Sequence, residues 1–174
     1  MIVFALALAA AQVPDTPAAR PAEIVTGQDP ITDRPFARII VRGERGERIE
    51  VSCRAPNWGD IDIAWHSRHW LARGNILTGA QPVTARFDDE RPRRRLWHVR
   101  DRTANFDDRG RSIEFLQAMM RAQRLTLRTR NVENRTFDSV FSIGESRPAI
   151  TRLLETCGSR RFNPRVLGEP TPAP

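Results

Sequence analysis

Apolar and polar side chains alternate with two different periods along this chain, and the change of period organises its reading. From Arg111 to Gly158 the pattern runs helix, strand, strand, helix. In RSIEFLQAMMRAQ, Ile113, Leu116 and Met120 recur at helical spacing, with Phe115 and Met119 widening the stripe. Ser112 stands where an N-cap hydroxyl would accept from a free backbone N–H. RLTLRTR then alternates, placing Leu125 and Leu127 on one face and Arg124, Thr126, Arg128 and Arg130 on the other. Phe137, Ser139, Phe141 and Ile143 share one parity of the next strand. A second helix follows Ser146-Arg147-Pro148, with Ile150, Leu153, Leu154 and Cys157 on one face and Gly158 past its end.

Upstream the period is two. FARIIVR (36–42) and ERIEVSCR (47–54) flank Gly43–Gly46 as a hairpin, with Ile49, Val51 and Cys53 facing inward. DIDIAWH (60–66), AQPVTARFDDE (80–90) and RLWHVR (95–100) add three more strands, and the arginines at 93–95 read as part of a turn. The fold expected is α+β: a mostly antiparallel sheet covered by two helices, with the C-terminal helix disulfide-linked to an early strand.

The ends differ from the middle. MIVFALALAAAQ is an apolar run too short to span a membrane, and Ala9-Ala10-Ala11 resembles a cleavage site. Residues 1–11 therefore read as a signal peptide, and the mature chain carries no transmembrane segment. Residues 12–34, with their prolines, read as a linker. Residues 35–158 read as one domain and residues 159–174 as a disordered tail. The expected location is the periplasm or the medium. In an exported chain the two cysteines, Cys53 and Cys157, are expected to pair. The alternative is two buried thiols.

Every one of the 28 basic residues is arginine, and the formal net charge is +7. Arg124, Arg128 and Arg130, sharing the outer face of one strand, are the candidate anion-binding residues. The reading favoured from sequence is a solvated face, since no glycine-rich phosphate loop is present. Nor do aromatics interleave with the arginines, which points away from nucleic acid. His66 and His69 form an H-x-x-H pair without the glutamate of a zinc protease motif, and Asp60, Asp62, Asp88 and Asp89 have no fixed relation. No serine or cysteine occupies a nucleophile motif. No catalytic residue, metal ligand or cofactor is assigned.

The order of elements resembles the VasI-like exported proteins associated with type VI secretion. The matching positions are Arg86-Phe87-Asp88, Trp97, Leu125 to Arg128, Phe137 to Ile143 and Leu153 to Cys157, within about residues 49–157. The chain departs from that pattern in the arginine-rich turn at 91–95 and at Thr129-Arg130-Asn131. The resemblance implies an exported accessory protein of the envelope with a protein partner there, and carries no catalytic residues. Two other classes compete with it: an arginine-rich module for an anionic polymer or membrane surface, and an envelope hydrolase.

Overall fold

A computed structural model describes residues 21–54, 61–75, 77–106 and 111–156. The segment read as a signal peptide, Asp60, Cys157 and the segment read as a tail lie outside the described residues. Within them the chain is α+β, with nine strands in one antiparallel sheet. The strands are β1 (Glu23–Gln28), β2 (Pro35–Arg42), β3 (Arg48–Arg54), β4 (Ile61–His66), β5 (Ala80–Phe87), β6 (Arg93–Arg100), β7 (Thr103–Phe106), β8 (Arg124–Arg130) and β9 (Thr136–Ser142). Their order across the sheet is β1-β2-β3-β4-β7-β6-β5-β8-β9. Two helices, α1 (Ser112–Arg121) and α2 (Arg147–Thr156), cover its inner face.

The alternation read from sequence decides which side chains fill the core. Ile39, Val41, Ile49, Val51, Ile63, Trp65, Val83, Leu125, Leu127 and Phe141 are all buried at matching parity. Helix α1 adds Phe115, Leu116 and Met119, and α2 adds Ile150, Leu153 and Leu154. Phe115 packs edge-on against Phe87 and Trp97 at ring separations of 5.2 and 5.9 Å. Aromatic pairs favour such geometry because ring edges and faces carry opposite partial charge.

Four local expectations change. Residues 23–28, inside the segment read as a linker, form β1 and pair with β2 from Glu23↔Ile40 to Gln28↔Pro35. The strand lies at the sheet edge and leaves its side chains mostly in water, so its apolar alternation is weak. Strand β7 is only four residues long and escapes periodicity altogether. The arginines at 93–95 are in β6 rather than a turn, because Arg93 already pairs with Ala85. Helix α1 is capped at Arg111 without a side-chain hydrogen bond, and Ser112 is instead buried as its first residue.

The sheet curls far enough for its last strand to reach the β2–β3 hairpin. Trp65 on β4 and Phe137 on β9 come within 5.8 Å, centroid to centroid. The amide of Glu44 donates to the carbonyl of Val140 at 3.2 Å. At this meeting point Gly43 is tightly enclosed, since an added Cβ would stand 3.0 Å from the Phe141 ring and 3.1 Å from the Val140 carbonyl oxygen.

Candidate functional site

The pairing register, rather than any local motif, assembles a concave surface lined mostly by polar and charged residues. On the outer sheet face, Arg94 of β6 lies opposite Thr84 of β5, Thr84 opposite Arg128 of β8, and Arg128 opposite Asp138 of β9. The neighbouring row sets Leu96 opposite Pro82 and Arg130 opposite Thr136. Long side chains therefore rise on β6 and β8 while β5 between them carries Thr84 and Pro82. The result is a groove of about 960 Å³ running along β5, closed at one end by the 72–75 segment with Arg73.

All the charged residues lining this groove are arginines: 73, 94, 95, 128 and 130. Arg128 is held bidentately by Asp138, Nε and Nη2 donating to the two carboxylate oxygens at 2.6 and 2.7 Å. That hydrogen bond holds the Asp138 carboxyl below the ordinary carboxylate range, against a smaller opposing effect of burial, and raises Arg128 in turn. Arg130 donates to the side-chain oxygen of Asn134 at 3.2 Å. Arg73, Arg94 and Arg130 have no carboxylate partner among the described residues. Of the three arginines singled out from sequence, two are brought together here. Arg124 is not; it lies at the far end of β8, opposite Ser142.

The other candidates are dispersed. The His66 ring hydrogen-bonds Thr103 at 3.2 Å through Nδ1, and its Nε2 is 3.7 Å from Glu50, which in turn pairs with Arg38. Burial, with Arg48 nearby, pushes His66 below the usual imidazole value, and Glu50 opposes the shift. His69 instead packs against Phe137 with the rings tilted by 59°, 4.7 Å between centroids. Asp88 accepts from the amides of Gln123 and Arg124, at 3.0 and 2.7 Å, while Asp89 pairs with Arg86. No group of three metal-ligating side chains converges among the described residues. A slot beneath Arg93 and Arg95, floored by Phe87, Trp97 and Phe115, leaves about 40 Å³, too little for an organic ligand.

The sequence shows the arginines but not their assembly. Arg94 was legible as part of a basic cluster, while Arg73 and the floor at Thr84 carry no signal, because strand register alone brings them beside Arg128. Compared with known proteins, the chain matches no family model, no curated protein and no solved structure.

Proposed function

We propose that this chain is an exported, non-enzymatic accessory or binding module of the bacterial envelope, associated with type VI secretion as its VasI-like resemblance implies. A disulfide between Cys53 and Cys157 ties β3 to the end of α2 in this reading. The observation that carries it is the position of Cys53 Sγ, 3.7 Å from the carbonyl oxygen of Leu153. Leu153 stands four positions before Cys157 in the sequence. Such a bond belongs to an oxidising compartment, in agreement with the apolar N-terminal run. Binding rather than chemistry is supported by the groove, whose lining offers guanidinium, hydroxyl and amide groups. That lining holds no carboxylate, imidazole or thiol to serve as a general acid or base.

The test is fractionation of the natural host, followed by N-terminal sequencing and thiol alkylation of the intact protein. A periplasmic or secreted species beginning near Gln12, two hydrogens lighter than its reduced form, is expected. A cytosolic protein retaining Met1 and two alkylatable thiols overturns the reading.

A further inference from the structure

We propose that the groove over β5 binds an extended acidic polysaccharide, with arginines of the two ridges pairing with successive uronate carboxylates. This names a ligand for the binding module argued above, and it does not depend on export.

Neighbouring strands are about 4.8 Å apart, so Arg94 and Arg128, two strands apart, stand about 10 Å from each other at the backbone. Their ridges can therefore flank one chain lying over Thr84, with the Arg128 fork kept on Asp138 and Arg94 and Arg130 left to meet the ligand. Arg130, two residues along β8 from Arg128, extends the row in the groove direction. Guanidinium is planar and matches a carboxylate with two parallel N–H···O bonds, as Arg128 already does with Asp138. Thr84 and Thr136 offer hydroxyls at the floor and rim, suited to a ligand rich in hydroxyls. The cleft volume falls within the range of about 300–1,000 Å³ usual for ligand sites.

Three other polyanions fit less well. No aromatic side chain lines the groove, so nucleic-acid bases find no stacking platform. Strand β5 is paired on both sides, with β6 and β8, so a peptide could not gain main-chain hydrogen bonds by adding a strand. A flat bilayer surface would meet only the arginines of the ridges and leave the hydroxyl of the floor at Thr84 unused.

The experiment titrates the purified full chain with a hexamer of mannuronate by calorimetry. Parallel arms use a single-stranded DNA hexamer, vesicles of phosphatidylglycerol and phosphatidylcholine, and a neutral dextran hexamer. Arg94→Ser/Arg130→Ser removes two groove cations, and Thr84→Trp fills the floor without changing charge. Arg121→Ser/Arg124→Ser removes the same charge outside the groove. Circular dichroism confirms that each variant folds. The expected result is mannuronate binding weakened about tenfold or more, that is by about 1.4 kcal/mol, in either groove variant, and within about twofold of wild type in the outside pair. Absent mannuronate binding, an equal loss in the outside pair, or tighter binding of DNA or vesicles overturns the proposal.

Discussion

Glu47 Oε1 accepts a hydrogen bond from the hydroxyl of Ser139 at 3.1 Å, across 92 positions of sequence, with both residues buried. The other carboxylate oxygen accepts from the amide of Arg45 at 3.0 Å. One side chain thus organises the β2–β3 turn and fastens it to β9, where the curled sheet meets itself.

Removing one partner of a buried hydrogen bond costs more than the bond itself, because the orphaned group has lost its water without gaining a partner. Glu47→Ala is expected to destabilise the protein by about 1–3 kcal/mol, and Ser139→Ala by about 1 kcal/mol. Urea denaturation of both variants and the double variant checks this. Strictly additive effects would show that the two side chains are not coupled.

His66 gives the fold a dependence on pH. Its folded value lies below the ordinary 6.5, so near that pH the unfolded chain binds more protons than the folded one. Its contribution is therefore fully present above pH 6.5 and declines as pH falls through and below that value. The urea midpoint of wild type should drop between pH 7.5 and 5.5, and His66→Gln should flatten that slope. An unchanged slope would mean that other groups set it.

Asp138 acts in the same direction but in a lower window. Its folded value is depressed by Arg128, so the pair contributes at neutral pH and the contribution disappears as pH falls below about 4, the ordinary carboxylate value. Both partners are substantially exposed. Asp138→Asn is accordingly expected to cost less than about 1 kcal/mol at pH 7 and less still at pH 3. Replacing Arg124, Arg128 and Arg130 together with serine should leave the fold intact, each exposed change shifting stability by about 0.5 kcal/mol or less. Thermal melts at the two pH values measure both.

Asp88 separates backbone from side-chain effects. Its φ of 43° lies in the left-handed region, and its carboxylate accepts from two successive amides at the start of β8. Asp88→Gly keeps the backbone at ease but loses the acceptor, whereas Asp88→Ala loses both. Losses of about 1–2 kcal/mol for glycine and more for alanine are expected. Equal losses would show that only the acceptor matters.

Cleavage of the proposed Cys53–Cys157 bond should lower stability by up to about 4–5 kcal/mol, the chain-entropy value for a loop of this length. Denaturation with and without reductant measures it. No change would argue that the bond is absent or strained.

Much of the architecture is legible from residues because a half-buried strand betrays itself by alternation. Ile49-Val51-Cys53 and Leu125-Leu127 face inward as their parity requires. The stripe of α1 is offset, however: Phe115, Leu116 and Met119 are buried while Ile113 and Met120 are only partly so. Strand β1 was illegible because an exposed edge strand between prolines needs no apolar face. The groove was illegible for a different reason. Parity says which face a side chain occupies, but only register says which residue on a distant strand stands beside it.

The strand order has a kinetic consequence. Strands β1 to β4 follow one another by sequence, as do β5 to β7 in reverse and β8 with β9, so each group can zip from a local turn. Along the sheet these groups are joined by the ladders of β4 with β7 and β5 with β8, four residue pairs in each. Closing those two ladders requires the longer loops and marks the slow step of folding.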